Sequence, residues 1–379
     1  MTTKTTKKTT KKSATRRRKT VTVQQKFVRF REDVNAILFE REGEADVVLS
    51  ALLCREHSVL VGPPGTAKSL LLDMVMSWVD GATKFTGLLS KYTTPDELFG
   101  PVSVAGLKKD EYRRKTDNKL PEAEFAFLDE IFKAQTILNT LLRILNEREY
   151  DNGTGGLMAC PLRMAVAASN EWPDEQNGGG ELGALFDRFL FRKIVRPISP
   201  RNRMKFLQAT IDVKFRDGMT LDEVDQAINE VSQMELTDDA WEVFGKILDE
   251  LNSEGIIVGD RRMKKSVEAV KAFAYLNGKD IADVEDLEVL QHTLWSDPKE
   301  QPQKCADIVM KLSNPTAVKV MELMIQATDV INGTAPNEAV PKLKAVIDEL
   351  NDIGTDKADN ARSLIQDELS KIYSNIVGA

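Results

Sequence analysis

One short stretch decides the fold: Gly62-Pro63-Pro64-Gly65-Thr66-Ala67-Lys68-Ser69. It follows an apolar run, Ser58-Val59-Leu60-Val61, and precedes a helical pattern from Leu70 to Trp78. Small residues between a strand and a helix let backbone amides approach phosphate oxygens, and the helix dipole favours an anion at that point. Lys68 is placed to reach the β- and γ-phosphates, and the Ser69 hydroxyl to bind Mg²⁺. The stretch therefore predicts a phosphate-binding loop.

The loop departs from the strict pattern at one position, because Ala67 stands where glycine is usual. An alanine there must accept the loop geometry without the conformational freedom of glycine. Gly62 and Gly65 are retained, as is the Lys-Ser pair. For this stretch taken alone, the alternative interpretation is a chance turn between a strand and a helix.

A second motif consists of two adjacent carboxylates that follow a buried strand. Asp129 and Glu130 come directly after Phe125-Ala126-Phe127-Leu128. On a strand beside the phosphate loop, Asp129 would face the Mg²⁺ shell and Glu130 could polarise the attacking water. An Asp-Glu pair can also cap a helix, but that role needs neither the apolar run nor a phosphate loop upstream. Together the two motifs predict a nucleoside triphosphatase.

Four later residues are candidates for the rest of the site. Asn170 ends another apolar run, where an amide could orient the water or contact the γ-phosphate, although a turn residue is the alternative. Arg188 follows Asp187 and could stabilise developing charge on a neighbouring subunit's nucleotide, or form a surface ion pair. Arg261 and Arg262 begin a helix, where positive charge opposes the dipole, so one of them could instead reach the nucleotide.

Short apolar runs alternate with helical patterns in the first half of the chain. This alternation predicts an α/β unit over residues 23–198, with a parallel sheet and helices on both of its faces. A turn cluster, Arg196-Pro197-Ile198-Ser199-Pro200, closes the unit, and Gly178-Gly179-Gly180 is interpreted as a loop inside it. Only helical patterns follow, which predicts an all-helical lid over 199–300 and a helical tail over 301–379.

Charge is unevenly distributed along the 379 residues. The first twenty hold nine Lys and Arg and no acid, whereas the rest of the chain holds 43 basic and 59 acidic residues, a net charge of −16. Residues 1–22 are predicted to be a disordered basic arm, either a solubilising tail or a segment that binds nucleic acid or another polyanion. The acidic body argues against general nucleic-acid binding.

Several classes of protein are disfavoured by what the sequence lacks. The chain contains no run of 18 apolar residues, so we expect no membrane span. The basic N-terminus has no apolar stretch of the kind found in a secretory signal. Three widely spaced cysteines indicate a reducing compartment, which favours a cytoplasmic protein. The two histidines, His57 and His292, are not clustered, so a histidine-based metal site or catalytic triad is poorly supported.

The ordered motifs resemble those of the MoxR branch of AAA+ ATPases, most closely its RavA-like members, from about residue 25 to 297. That branch also tolerates alanine before the lysine of the loop. Besides the loop, the resemblance rests on segments that match in order: Tyr92-Thr-Thr-Pro-Asp-Glu-Leu-Phe-Gly-Pro101, Leu120-Pro-Glu-Ala-Glu124, Phe127-Leu-Asp-Glu-Ile131, Leu138-Asn-Thr-Leu-Leu142, Asn146-Glu-Arg148, Ala168-Ser-Asn-Glu171, Asp187-Arg188, Asp260-Arg-Arg262 and Leu294-Trp295.

The resemblance implies ATP and Mg²⁺ as cofactors and gives each motif a role. Residues 62–69 would form Walker A; Asp129 and Glu130 would form Walker B, with Ser69 and Asp129 at the metal. Asn170 would be sensor 1 and Arg188 the arginine finger acting in trans. Arg261, or else Arg262, would be sensor 2 beside the nucleotide. Residues 100–120 would form the helix-2 insert, and 149–162 the hairpin before sensor 1.

Family members form hexameric rings and act as chaperone-like remodellers, typically beside partners that carry a von Willebrand factor A domain. The resemblance therefore implies a homo-hexameric, ATP-driven ring that remodels or assembles a protein client. One alternative is a nucleic-acid-associated motor, motivated by the basic arm and by Lys108, Lys109, Arg113, Arg114 and Lys115. Another is a nucleotide-gated scaffold with little turnover, which the intact Glu130 disfavours. The arm and the tail after residue 300 depart from the family pattern.

Overall fold

The computed structural model describes residues 21–133, 137–172, 185–210, 212–334 and 336–377. Residues 1–20 of the predicted arm and the Gly178-Gly179-Gly180 loop lie outside these ranges.

Five strands form one parallel sheet: β1 (Ser58–Val61), β2 (Lys84–Leu88), β3 (Phe125–Asp129), β4 (Met164–Ser169) and β5 (Phe191–Ile194). Their spatial order is β2-β3-β4-β1-β5. The three middle strands are buried almost throughout, whereas both edge strands expose part of their length. Asp129 pairs with Ala168, and Val61 with Ser169, so the carboxyl ends of the middle strands lie side by side. This edge of the sheet is where parallel α/β folds bind ligands.

Helices and short turns connect the strands of this unit. The helices are α1 (Val23–Ile37), α2 (Glu42–Leu53), α3 (Lys68–Trp78), α4 (Pro95–Phe99), α5 (Val104–Leu107) and α6 (Leu138–Glu147). Single 3₁₀ turns lie at Leu120–Glu122, Ile131–Lys133 and Gly153–Gly155. In α1, Phe27, Phe30 and Val34 are buried because they recur at helical spacing, and Phe30 stacks on Trp78 of α3 with ring centroids 4.0 Å apart.

Helices dominate the chain after β5. The lid contains α7 (Pro200–Gln208), α8 (Leu221–Gln233), α9 (Asp238–Ser253), α10 (Asp260–Leu276) and a 3₁₀ helix, Val284–His292. Thr220 caps α8 by accepting a hydrogen bond from the amide of Glu223, which fixes where that helix begins. Two-residue strands also pair in parallel, Val79–Asp80 with Met219–Thr220 and Glu235–Leu236 with Ile281–Ala282.

The tail consists of α11 (Gln301–Ser313), α12 (Pro315–Gly333), α13 (Pro336–Ile353) and α14 (Asp356–Val377). The main hydrophobic core runs from α1 to Val309 of α11. The last three helices have a separate small core that includes Leu323, Leu343 and Ile365. The tail is therefore divided, since α11 belongs to the lid core and α12–α14 form their own bundle.

The structure confirms the predicted fold class, a parallel sheet with helices followed by a helical lid and helical tail. No helix within the described ranges combines the length and the apolar character needed to cross a bilayer. The sequence patterns did not reveal strands β2 and β5. Both lie at sheet edges and carry polar residues, such as Lys84 and Thr86 in β2 or Arg192 and Lys193 in β5, so they lack a continuous apolar run. The domain boundaries at residues 22, 198 and 300 stay predictions.

Candidate nucleotide-binding site

The loop between β1 and α3 has the backbone geometry that its small residues allow. A Cβ atom on Gly62 would lie 2.2 Å from the carbonyl oxygen of Val195, so no larger residue fits there. Gly65 has φ +75°, in the left-handed region that favours glycine. Ala67 also has positive φ, 64°, immediately before α3. The unusual alanine therefore adopts the conformation for which glycine is usual at this position, at the energetic cost of a left-handed alanine.

Lys68 is the first residue of α3, and its side chain turns back into the loop. Its Nζ donates to the carbonyl oxygens of Gly62 at 2.7 Å and Pro63 at 2.9 Å. Burial lowers the pKa of Lys68, while the nearby charges of Asp129 and Glu130 oppose that shift. The ammonium group thus sits between the loop and the two carboxylates, and Ser69 is exposed at the loop mouth.

Three polar residues meet the loop at the carboxyl ends of β3 and β4. Asp129 ends β3, and its Oδ1 accepts a hydrogen bond from the amide of Glu130 at 2.9 Å. Glu130 has φ 55°, and its Oε1 accepts a hydrogen bond from Nδ2 of Asn170 at 2.6 Å. Its other oxygen, Oε2, is buried, lies 3.3 Å from Nζ of Lys133, and makes no hydrogen bond within the described residues. Lys68, Asp129, Glu130 and Asn170 thus gather at one edge of the sheet.

The residues present fit Mg²⁺ bound together with a nucleotide. Mg²⁺ is usually held by one or two protein oxygens together with phosphate oxygens and water. The Ser69 hydroxyl and the Asp129 carboxylate supply that kind of donor set next to the loop. Within the described ranges, His, Cys, Asp and Glu form no cluster of three that could hold a metal alone. A Mg²⁺ ion bound at this site would thus take the rest of its ligands from the nucleotide and from water.

The predicted arginines lie together at the opposite end of the sheet. A cavity of about 30 Å³ is lined by eight residues of three segments: Leu145, Asn146, Asp187, Arg188, Leu190, Arg261, Arg262 and Lys265. Its position is fixed at the amino end of β1, since His57 Nε2 lies 2.7 Å from the carbonyl oxygen of Leu145 and Lys265 pairs with Glu56 at 2.6 Å. None of the phosphate-loop residues lines it.

The three arginines differ in how far they are engaged. Arg262 is buried and donates to the carbonyl oxygens of Leu190 at 3.1 Å and Thr293 at 2.9 Å, and to Oδ1 of Asp187 at 2.8 Å. Arg261 is exposed and bonds Oδ1 of Asn146. Arg188 is half-buried, and its Nε makes no hydrogen bond within the described part of the chain. Arg188 and Arg261 are therefore the two with capacity for a further anionic partner.

The residues at the phosphate loop and the three arginines lie at opposite ends of the strands in the same parallel sheet. Phe191, which begins β5, pairs with Ser58 at the start of β1, and Arg188 lies just before it. The phosphate loop starts at Gly62, after β1 has ended. Three residue steps of about 3.3 Å each give a separation of roughly 10 Å along β1 alone. The structure thus places Arg188, Arg261 and Arg262 away from Lys68 of their own chain, and it does not bring the predicted sensor 2 to that loop.

Sequence patterns gave no sign of a further residue at the loop, Arg41. It lies in the turn between α1 and α2, is 4% exposed, and its Nε donates to the carbonyl oxygen of Thr66 at 3.0 Å. A lone arginine between two helical patterns is ordinary in a sequence, so no signal could have pointed to it.

Two loops predicted from the resemblance pack against each other. Residues 149–151 and 157–159 form an antiparallel hairpin. At its tip, the amide of Thr154 donates to the carbonyl oxygen of Tyr112 at 2.9 Å. The side chains of Leu107, Tyr112 and Leu157 are all more than half exposed, at 51%, 52% and 57%. The hairpin and the segment over 100–120 thus form one surface with exposed apolar groups.

Comparison with known proteins places these elements in a family. The model for the MoxR domain in the MoxR-vWA-beta-propeller ternary systems matches residues 25–235, and the model for an AAA lid domain matches residues 239–309. Two uncharacterized proteins of Methanocaldococcus jannaschii, MJ0812 and MJ0079, are 43% and 42% identical to the chain. The first match covers 78% of each protein, and the second covers 73% of this chain and 71% of its relative.

More distant similarities extend to a virus and to a solved structure. Structural protein ORF618 of Acidianus two-tailed virus is 28% identical over 55% of this chain and 35% of its own length. The crystal structure of a candidate ATPase from Cytophaga hutchinsonii matches with a TM-score of 0.59 and 15% identity, over 76% of this chain and 94% of that one. At that identity the match shows the fold alone. The RavA-like placement within the family stays a prediction.

Proposed function

Since the chain belongs to the MoxR family of AAA+ ATPases, we propose that it hydrolyses ATP with Mg²⁺ at sites shared between neighbouring subunits of a ring. One observation carries the proposal. Lys68, Asp129, Glu130 and Asn170 meet at the carboxyl edge of the sheet, whereas Arg188 and Arg261 lie at the amino edge. One chain therefore holds both halves of a phosphoryl-transfer site, but one half lies at the carboxyl ends of the strands and the other at their amino ends.

The half at the carboxyl edge binds the nucleotide and activates water. Lys68 would exchange the loop carbonyls that it now contacts for phosphate oxygens, and Ser69 and Asp129 would hold Mg²⁺. The metal, when bound, neutralises charge on the phosphates. Glu130 would accept the proton of the attacking water. The Asn170 amide, 2.6 Å from Oε1 of Glu130, would hold that carboxylate in place.

The half at the amino edge supplies positive charge to the next subunit. Phosphoryl transfer gains greatly from a guanidinium aimed at the developing charge, and a finger supplied in trans is an established solution. The Nε of Arg188, which makes no hydrogen bond to any described residue, and the exposed Arg261 support that role. Arg262 has a different one here, because its bonds to residues 187–190 and Thr293 hold the loop of Arg188 against the lid.

A head-to-tail interface of this kind closes into a ring when the rotation between subunits allows it. We expect a hexamer, as in the family. The test is ATPase rate per subunit against protein concentration, with the oligomer mass measured in the same samples. Wild type should become active as the ring forms, whereas Arg188→Ala should form the ring without turnover. A rate that is independent of concentration, and unaffected in Arg188→Ala, would leave only a P-loop ATPase whose site is complete within one subunit.

Hydrolysis would serve to remodel or assemble a protein client. The joined surface of the insert and the hairpin supports this, because Leu107, Tyr112 and Leu157 expose apolar groups that a polypeptide could cover. A partner with a von Willebrand factor A domain is proposed from the family, whose domain is described from ternary systems that contain one. Co-purification of such a protein with the Glu130→Gln variant, and its release by the wild type with ATP, would support the pairing.

A role at nucleic acid is the second candidate, and the composition of the arm favours it. Nine Lys and Arg without an acid in the first twenty residues suit a polyanion. If deleting residues 1–20 removes DNA binding but leaves the ATPase rate unchanged, the arm is a tether. If the full chain does not bind DNA at low salt, this candidate fails.

A further inference from the structure

Arg41 links the phosphate loop to the segment that directly follows strand β5. Its side chain is buried, and Nε donates to the carbonyl oxygen of Thr66 inside the loop at 3.0 Å. Nη2 of the same guanidinium donates to the carbonyl oxygen of Arg196, just beyond β5, at 2.9 Å. One planar cation therefore spans two backbone segments that are far apart in sequence. A guanidinium suits this task because its donors have a fixed fork geometry.

The turn that carries Arg41 is itself held firmly. Glu40 has φ 55°, a left-handed conformation that costs free energy for any residue except glycine. Its carboxylate accepts hydrogen bonds from the Ser199 amide at 2.7 Å and from Nδ2 of Asn202 at 2.6 Å, which fix it to the start of α7. Nη1 of Arg41 also donates to the carbonyl oxygen of Glu40 at 2.6 Å. Strained backbone of this kind persists where its surroundings determine it and where its position matters.

The hydrogen bond to Thr66 bears on how the loop meets an anion. Backbone amides can surround a phosphate only if the neighbouring carbonyl oxygens point away from it. Arg41 binds one such oxygen, the carbonyl oxygen of Thr66, which lies two residues before Lys68. The positive charge of Arg41 also acts at the site. Burial is the main cause of the lowered pKa of Lys68, and the Arg41 charge lowers it further. Oε1 of Glu44 lies 3.9 Å from Nη1 of Arg41, which is longer than a direct hydrogen bond.

We propose that Arg41 is a positioning residue that holds the phosphate loop in its anion-binding conformation. The inference rests on the proposed function, because it assumes that a nucleotide binds at Lys68. It adds that the affinity for the phosphate chain, rather than for the nucleoside, depends on a side chain outside the loop. A residue that only stabilised the fold would affect both parts of the nucleotide alike.

The test compares binding of ADP and of adenosine, neither of which requires hydrolysis. Arg41→Met removes the charge and both bridging bonds, and Arg41→Lys keeps a cation that cannot form the fork. Arg31→Met is the matched control, since Arg31 lies on the neighbouring α1, pairs with Asp46 at 3.6 Å and donates to Oδ1 of Asn277 at 2.9 Å. Thermal midpoints of all variants separate loss of fold from loss of binding.

Arg41→Met should weaken ADP binding by about 10- to 100-fold, the loss expected for charge-assisted hydrogen bonds, and should leave adenosine binding unchanged. Arg41→Lys should fall between it and wild type, and Arg31→Met should bind ADP as wild type does. If Arg41→Met does not fold, Arg41→Lys decides the question, since unchanged ADP affinity in it overturns the inference. Equal loss of ADP and adenosine in either variant also overturns it. Lys68→Ala tests the proposed function separately: if it still binds ADP normally, the assigned site itself is wrong.

Discussion

The amide nitrogen of Asn170 lies 2.6 Å from a carboxylate oxygen of Glu130, although the two residues follow different strands. The contact exists because β3 and β4 are parallel neighbours whose carboxyl ends are in register. An amide that donates to a carboxylate fixes its direction without taking its charge. In the proposed reaction, Asn170 thus sets where the base points.

Asn170→Ala should lower kcat by roughly 100-fold with little change in nucleotide affinity, because the Glu130 base would no longer be held in the correct position relative to the water. Asn170→Asp should also lower kcat, because a second carboxylate cannot donate to the Glu130 carboxylate and repels it. Steady-state kinetics measure both effects. A normal kcat in Asn170→Ala would remove Asn170 from the site.

Arg261 and Arg262 are adjacent, yet their variants should fail in different ways. Arg262 is 7% exposed and bonded to Asp187, so Arg262→Met should destabilise the fold by about 3 kcal/mol through the uncompensated neighbours it leaves. Arg261→Ala should change stability by less than about 0.5 kcal/mol, because Arg261 is exposed, but should reduce ATPase activity. Thermal unfolding and ATPase assays on both variants separate the roles. Equal stability of the two variants would contradict the assignment of Arg262 as a structural clamp.

Two small residues of the loop should respond oppositely to a change of one methyl group. Gly62→Ala should abolish nucleotide binding or folding, because the added Cβ would lie 2.2 Å from the carbonyl oxygen of Val195. Ala67→Gly should be tolerated, since glycine adopts φ 64° without strain. The greater conformational entropy that glycine loses on folding offsets much of the stability gained by relieving that strain. Titration with ADP and thermal midpoints test the pair. Normal ADP binding by Gly62→Ala would show that the close contact with Val195 does not constrain the loop.

Stability should fall as the solution is acidified, and His57 should account for part of the loss. Burial lowers the pKa of His57 to about 3, whereas an unfolded histidine titrates near 6.5. Since the folded form excludes the proton, its stability is full above about pH 6.5 and decreases as the pH falls toward 3. The His57 contribution lost between pH 7 and 5 should be about 2 kcal/mol.

His57→Gln, which keeps one donor and one acceptor, should remove that part of the pH dependence. Urea denaturation of both proteins at pH 7 and pH 5 makes the comparison. An identical loss of stability in wild type and variant would contradict the assignment of this pH dependence to His57.

Much of the sheet and half of the site could be predicted from the sequence, for a physical reason. The middle strands are buried on both faces, so Val59-Leu60-Val61 and Phe125-Ala126-Phe127-Leu128 are continuous apolar runs. The phosphate loop and the Asp129-Glu130 pair are local motifs whose chemistry depends on adjacent residues. These features need no knowledge of the tertiary structure.

The features that the sequence did not reveal depend on contacts between distant segments. Arg41 matters only because the fold brings Thr66 and Arg196 to its guanidinium. The start of its helix makes Arg261 a candidate for contact with the nucleotide, whereas the structure holds Arg261 beside Asn146 at the amino ends of the strands. Periodicity identifies the helix that carries Arg261 but gives no information on which end of the sheet that helix meets.

The most direct test of the shared site mixes two inactive variants, Lys68→Ala and Arg188→Ala. An Arg188→Ala subunit keeps its own phosphate loop, and a neighbouring Lys68→Ala subunit can supply the missing arginine. If the site is shared, an equal mixture should recover about a quarter of the wild-type ATPase rate, since random assembly places the two variants in the productive order at one interface in four. If each chain hydrolyses ATP alone, the mixture should show only the average rate of its two components, and that result would contradict the account.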